Sequence, residues 1–333
     1  MAHWGRVLIM LSFLFPAGCA PTLKPLGQDR IEPRLEADAI VTSDEERLPL
    51  RLWMPPEGTP LKAVVVALHG MNDYSRSFER SGKYLSAHGI AVYAYDQRGF
   101  GQGPWPGYWA GQEAMSADLS TTLRLVAQKH PGLPLYALGE SMGGAVVMLT
   151  MTGPNPPPVT GVILAAPAVW GRDDMNIFEK GALWMTWHAM PWMTFNGHGL
   201  DVQPSDNLEM LRSLSRDPLV LKDTRADVIH GLVDLMTEAQ HSATKLTTPA
   251  LVLYGEHDQI IPQAPSLRAM GNLRGESQVK AIYPNGWHML LRDLQADVVL
   301  ADIVSWVDRP RWPLPSGADK RAEQFLSDER SNP

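Results

Sequence analysis

Ser141 lies in the pentapeptide Gly139-Glu140-Ser141-Met142-Gly143, between "PLYAL" and "GGAVVMLTM". A serine hydroxyl is a weak nucleophile until a base removes its proton. Gly-x-Ser-x-Gly forms a nucleophile elbow when a strand precedes it and a helix follows, because the glycines leave room for a sharp turn. Both flanks fit that context, so we predict that Ser141 is a nucleophile. The alternative is a serine that caps a helix beginning at Met142, and no role follows for Glu140.

A base and an acid are expected after the serine in the chain, in the order serine, acid, histidine. His288 lies in "YPNGWHMLL", directly after the last strand-like run, which makes it the candidate base. The candidate acid is Asp258 in "LVLYGEHDQIIP", because a carboxylate there accepts the second ring proton of the histidine. Glu256 is the competing acid in the same loop.

An oxyanion in the reaction would need two hydrogen-bond donors. One candidate is the backbone N–H of Met142, directly after the serine, and the other is the N–H of Met71 in "LHGMND". The methionine side chains are not required for this role.

Strand-like and helix-like patterns must position these residues. Aliphatic runs of the kind that form buried parallel strands alternate with segments of helical periodicity. The strand-like runs cover 47–56, 62–70, 89–96, 133–139, 160–167, 248–255 and 277–284. The helix-like segments cover 76–88, 112–129, 141–151, 264–273 and 296–307. Such alternation predicts an α/β fold with a doubly wound, mostly parallel sheet.

The alternation stops between 168 and 245, where no buried strand is evident and tryptophan and methionine cluster. We interpret this stretch as a helical cap inserted into a core made of 36–167 and 246–308. Residues 309–333 are polar, and we expect this tail to be frayed.

The first residues have the pattern of an export signal. A short apolar run follows one arginine, and small residues precede Cys19, so 1–18 are predicted to be a signal peptide. The cysteine is placed as in the lipobox of bacterial lipoproteins, which predicts Cys19 as a lipid attachment site. Residues 19–35 would be the tether. The protein is then expected to be exported and anchored to a membrane facing the periplasm.

Composition limits the partners. The 333 residues carry 29 basic and 36 acidic side chains, a net charge of −7. Since basic clusters are lacking, a nucleic-acid partner is not expected. With Cys19 as the only cysteine, the chain has no internal disulfide.

Six stretches together resemble the monoacylglycerol lipase and lysophospholipase branch of the α/β-hydrolase superfamily. They are "LHGMND", "YDQRGFGQG", "LGESMGG", "SRDPLV", "YGEHDQIIP" and "NGWHMLLRD". The resemblance runs from about 62 to 308 and implies the α/β-hydrolase fold without a metal or a cofactor. It implies these site residues: Ser141, Asp258 and His288 as a triad, with Met71 and Met142 as the oxyanion pair.

The resemblance implies a serine carboxylester hydrolase that cleaves single-acyl lipids through an acyl-enzyme. The partners would be a lipid or small ester substrate and a membrane surface. An acyltransferase would use the same triad with another acceptor than water. A non-lipid esterase or a peptidase shares the fold, although "WMTWHAMPWM" in the cap has no acidic group for a free amine. The non-enzymatic alternative, a binding module, is disfavoured by the intact triad.

Overall fold

The structure is a computed structural model that describes residues 20–197, 202–273, 275, 277–310 and 313–331. The predicted signal peptide (1–18) and Cys19 lie outside the described residues, so export and lipid attachment stay predictions. Among the described residues, no helix combines the length and the apolar character needed to cross a bilayer.

Strands alternate with helices along most of the chain. The strands are β1 (Arg34–Leu35), β2 (Ala39–Val41), β3 (Arg47–Trp53), β4 (Ala63–Leu68), β5 (Ile90–Tyr95), β6 (Leu135–Glu140), β7 (Gly161–Ala165), β8 (Thr194–Asn196), β9 (Asp223–Arg225), β10 (Ala250–Gly255) and β11 (Gln278–Tyr283). The helices are α1 (Glu79–Ala87), α2 (Gln112–Lys129), α3 (Met142–Thr152), α4 (Ile177–Ala189), α5 (Leu208–Arg216), α6 (Ala226–Ser242), α7 (Gln263–Asn272), α8 (Ala296–Asp308) and α9 (Ala318–Ser331).

Among the described residues, nine strands form one sheet in the order β1-β2-β3-β5-β4-β6-β7-β10-β11. The pairs from β5 to β11 are parallel, whereas β1, β2 and β3 join the edge in antiparallel pairs. The predicted α/β fold with a mostly parallel sheet is therefore confirmed.

Helices cover both faces of the sheet, and the alternation of side chains along each strand supplies both cores. In β4, Val64 and Val66 face the core formed with α2, α3 and α7, whereas Val65 faces the core formed with α1 and α8. All six residues of β4 are buried. This two-sided burial explains why the central strands read as unbroken aliphatic runs rather than as alternating patterns.

The segment that the sequence predicts to be a cap (168–245) follows β7 and precedes β10 in the chain, and its described residues include α4, α5 and α6. Helix α6 packs against α3 of the core and against α4. The cap also contains β8 and β9, which form a two-stranded antiparallel ribbon. These short strands escape prediction because neither is a buried aliphatic run.

Two terminal segments are more ordered than the sequence predicts. The expected frayed tail contains α9, whose Ala318, Ala322 and Leu326 are buried at a spacing of four residues. That spacing forms one apolar helix face, which the polar composition of the tail conceals. The expected tether lies against the domain, since the Lys24 N–H donates to the carbonyl of Trp109 at 2.8 Å and β1 pairs with β2.

Candidate active site

Ser141 occupies a strained turn between β6 and α3. Its backbone has φ 53° and ψ −118°, in the left-handed region that non-glycine residues rarely adopt. A side chain at Gly139 would lie 2.4 Å from the carbonyl carbon of Gly143, and one at Gly143 would lie 2.3 Å from the carbonyl oxygen of Leu68. The turn therefore requires glycine at both positions. The hydroxyl of Ser141 makes no capping hydrogen bond to α3, unlike the alternative considered from the sequence.

His288 and Asp258 form a buried pair. The Nδ1 of His288 lies 2.8 Å from the Oδ2 of Asp258, and the Oδ1 of Asp258 accepts the N–H groups of Ile260 at 2.8 Å and Ile261 at 2.9 Å. An ionised aspartate only accepts hydrogen bonds, so the Nδ1 of the histidine carries the proton in this pair. Its Nε2 is then left as an acceptor, as a general base requires.

The competing acid Glu256 has a different partner. Its carboxylate forms an ion pair with the guanidinium of Arg321 on α9, in which the Nη2–Oε2 distance is 2.9 Å. The two acids of this loop thus have different partners, and Asp258 is the one that contacts His288.

The three candidate residues follow the carboxyl ends of parallel strands: Ser141 follows β6, Asp258 follows β10 and His288 follows β11. Carboxyl ends of parallel strands share one edge of the sheet, where ligands bind in open α/β folds. A catalytic role for each residue stays a proposal that rests on this arrangement.

The loop after β4 carries the first candidate oxyanion donor and lies against Ser141. A side chain at Gly70 would be 3.3 Å from the Cβ of Ser141. In the described part of the chain, the N–H groups of Met71 and Met142 have no hydrogen-bond acceptor. Met142 is also the first residue of α3, and the N-terminus of a helix favours negative charge. Both donors are thus available to an oxyanion.

His69 holds the loop after β4 in place. Its Nδ1 lies 2.8 Å from the carbonyl of Gly70, and its Nε2 accepts the N–H of Gln97 at 3.0 Å. The side-chain amide of Gln97 donates back to the carbonyl of His69 at 2.8 Å. This pattern requires a neutral imidazole, and burial lowers the pKa of His69 accordingly.

Lowering the pH from about 7 to 5 is expected to reduce the free energy of unfolding through His69. Because the folded-state pKa is below the unfolded value of about 6.5, the unfolded chain binds more protons in this window. The dependence of the unfolding free energy on pH should be weaker by up to about 1.4 kcal/mol per pH unit in His69→Asn. The asparagine amide keeps a donor to the carbonyl of Gly70 but does not titrate. Urea unfolding at several pH values measures this slope, and equal slopes would contradict the assignment.

Three further residues of the site region were missed by sequence reasoning. Arg292 donates from Nη1 to the Oδ2 of Asp73 at 2.7 Å and from Nη2 to the Oε2 of Glu140 at 3.1 Å. All three side chains are buried. The available signal is weak: each is a charged residue within one of the quoted motifs, "LHGMND", "LGESMGG" and "NGWHMLLRD".

The loop that carries His288 has a second buried support. Asp293 accepts the N–H of Trp287 and the N–H of Gln295, both at 3.0 Å. Burial raises the pKa of Asp293 to about 7.

Across the described residues, no group of three or more acidic, histidine or cysteine side chains could hold a metal ion.

A strained serine turn lies at the carboxyl ends of the parallel strands, and a histidine–aspartate pair lies at the same end of the sheet. This arrangement defines the class of the protein as a serine hydrolase of the α/β-hydrolase fold. Comparison with known families agrees. The family model described as serine aminopeptidase, S33, matches residues 59–295, and the chain belongs to this family.

Relatives of this chain include lipases. The monoacylglycerol lipase of Mycolicibacterium smegmatis is 28% identical over 279 residues, which cover 78% of this chain and 92% of that protein. The monoglyceride lipase of Homo sapiens is 26% identical over 288 residues, which cover 81% and 89%. The resemblance to monoacylglycerol lipases is confirmed, and the chain is a carboxylic ester hydrolase.

Solved structures show the same fold. The monoacylglycerol lipase of Paleococcus ferrophilus superposes with a TM-score of 0.66 at 21% identity, over 79% of this chain and 99% of that one. A soluble variant of the monoglyceride lipase from Saccharomyces cerevisiae, in complex with a substrate analog, gives 0.69 at 19% identity, over 86% and 96%.

Proposed function

We propose that the protein hydrolyses esters of single-acyl lipids, a monoacylglycerol or a lysophospholipid, with Ser141 as nucleophile, His288 as base and Asp258 as acid. The observation that carries the chemistry is the 2.8 Å contact of His288 with Asp258, at the edge of the sheet where the strained Ser141 turn lies. The lipase relatives support the lipid substrate.

The reaction would proceed in two steps. The Oγ of Ser141 attacks the ester carbonyl while the Nε2 of His288 takes its proton, and the N–H groups of Met71 and Met142 bind the oxyanion. The ester bond breaks, the alcohol leaves with the proton from His288, and an acyl-enzyme remains. Water then gives a proton to His288 and attacks the acyl carbonyl. The bond between the acyl group and the Oγ of Ser141 breaks, the fatty acid leaves, and His288 returns the proton to the Oγ.

An apolar surface on the cap supports a lipid substrate. Large apolar side chains of α4 and the following segment are exposed, with Phe178 at 84% and Trp184 at 63%. We call this surface the apolar cap face, and it consists of Ile177, Phe178, Trp184, Met185, Trp192 and Phe195. Large apolar side chains that are exposed together within one short segment are typical of a site of interaction, and burial in a lipid surface would stabilise them. We therefore propose that the cap contacts lipid aggregates or a membrane.

The double substitution Phe178→Ser with Trp184→Ser is expected to lower hydrolysis of vesicle-bound monoacylglycerol by about tenfold or more. Each side chain loses about 1.5–3 kcal/mol of burial when it no longer enters lipid, if burial there is complete. Hydrolysis of soluble p-nitrophenyl butyrate should stay within about twofold, because these exposed residues support no core. Met54→Ser, at an exposed site outside the cap, is the control. A parallel loss on both substrates would contradict a role in lipid contact.

A substrate panel tests the proposed function. Monoacylglycerols, lysophospholipids and p-nitrophenyl esters of graded chain length are compared with aminoacyl p-nitroanilides, and Ser141→Ala defines the background. Added glycerol reports acyl transfer as new ester. We expect the highest kcat/KM on a single-acyl lipid. Preferred cleavage of the anilides would establish a peptidase, and preferred transfer would establish an acyltransferase.

A further inference from the structure

Arg292 connects three segments that carry different parts of the proposed machinery. Its guanidinium contacts Glu140, the residue directly before Ser141. It also contacts Asp73, two residues after the oxyanion donor Met71. We call Asp73, Glu140 and Arg292 the buried ion-pair cluster.

Backbone hydrogen bonds tie two members of the cluster, Asp73 and Arg292, to turns that carry parts of the proposed machinery. Asp73 donates its N–H to the carbonyl of Gly70 at 3.4 Å, which closes the turn that contains Met71. The N–H of Arg292 donates to the carbonyl of Met289 at 2.8 Å, in the turn that begins at His288. A displacement of the guanidinium would therefore move the backbone that carries the donor or the base.

Burial of the three charged side chains opposes folding, because the charges lose their contact with water. All three charged side chains are removed from water, with Arg292 7% exposed and Glu140 2% exposed. Among the described residues, the Oε1 of Glu140 and the Nε of Arg292 find no hydrogen-bond partner. Buried ion pairs are often no more stabilising than apolar residues of similar volume, and incompletely satisfied ones less so. With two polar atoms left without a partner, the cluster contributes little to stability for the charge that it buries.

A guanidinium offers what an apolar contact does not: a planar fork with fixed directions. Its two terminal nitrogens point to two carboxylates, so the pair of contacts fixes angles as well as distances. Catalysis depends on such angles, because a misplacement of about 1 Å costs about 100-fold in rate.

We propose that the buried ion-pair cluster acts as a set of positioning residues that fixes the loop after β4, Ser141 and His288 relative to one another. The inference rests on the proposed roles of Ser141 and His288. All three side chains are buried, so their effect should appear in kcat and not in substrate binding.

Glu140→Gln and Arg292→Lys test this inference. Both are expected to lower kcat for p-nitrophenyl butyrate by about 10- to 100-fold, with KM within about threefold. Glutamine keeps the shape of glutamate but loses the charge-assisted contact, and lysine keeps the charge but loses the fork. Active sites are counted with a fluorophosphonate, so the loss of kcat is measured per folded, labelled molecule.

The chain contains a matched control. Arg98 is a buried arginine that also contacts two acids, Asp118 at 2.7 and 2.8 Å and Asp44 at 2.7 and 2.8 Å. Asp118→Asn removes one charge and leaves the second acid in place, as Glu140→Gln does. We expect a similar loss of thermal stability in both variants but a kcat within about threefold of wild type in Asp118→Asn.

The outcomes separate the inference from the proposed function. A wild-type protein without esterase activity refutes the function. An active wild type with kcat retained in Glu140→Gln refutes the positioning role, as does an equal loss in Asp118→Asn. If Arg292→Lys does not fold, Glu140→Gln decides, and if neither folds the cluster serves stability and the inference is wrong.

Discussion

Replacing Ser141 by alanine is expected to lower kcat for p-nitrophenyl esters by about 10⁶-fold and to abolish labelling by a fluorophosphonate. The hydroxyl is the group that we propose to form the acyl-enzyme, and alanine leaves the strained turn without a nucleophile. The fold should persist, because the hydroxyl makes no capping hydrogen bond to α3. Ester hydrolysis, labelling and thermal unfolding of the same preparation measure the three quantities.

The control for this variant is another serine. The hydroxyl of Ser86 donates to the carbonyl of Lys83 at 3.0 Å within α1, remote in sequence from the elbow. Ser86→Ala should retain both activity and labelling. Equal labelling of Ser141→Ala and wild type would show that the nucleophile is a different residue.

Asp258→Asn should lower kcat by about 10⁴-fold, the second largest effect. The amide cannot accept the Nδ1 proton of His288 and at the same time keep both N–H groups of Ile260 and Ile261 on its oxygen. The histidine then loses the tautomer that leaves Nε2 free to act as a base. Steady-state kinetics on a soluble ester, where lipid contact plays no part, report the effect.

Glu256→Gln provides the comparison for the acid. Its ion pair with Arg321 is partly exposed, and such pairs contribute about 0–1 kcal/mol. The expected result is a kcat within about threefold of wild type and a small loss of stability. A larger loss of kcat in Glu256→Gln than in Asp258→Asn would reverse the assignment of the acid.

The sequence predicts the fold and the candidate triad because both depend on local patterns. Buried parallel strands are continuous aliphatic runs, and the residues that end them carry the candidate chemistry. Ser141 is marked by its glycines, and Asp258 and His288 are marked by their positions after the last two strands of the core. Sequence order alone limits which residues can meet at the edge of a parallel sheet.

The buried ion-pair cluster cannot be predicted in this way because its members are far apart in the sequence. Asp73 and Arg292 are 219 positions apart, and Glu140 and Arg292 are 152 apart. Nothing local distinguishes a charged residue that is buried with a partner from one that is solvated. Helix α9 is not predicted for a related reason. Its apolar face is narrow, and the strand against which it packs, β11, is not adjacent to it in the sequence.

Helix α9 packs against β11, the last strand in the sheet order. An uncovered edge strand offers unpaired backbone groups to other chains and is a common start of aggregation. The opposite edge is β1, which has only two residues and offers little for a neighbouring strand to pair with. In the described part of the chain, one outer strand of the sheet thus packs against a helix and the other has only two residues, and both features disfavour strand pairing with a second molecule.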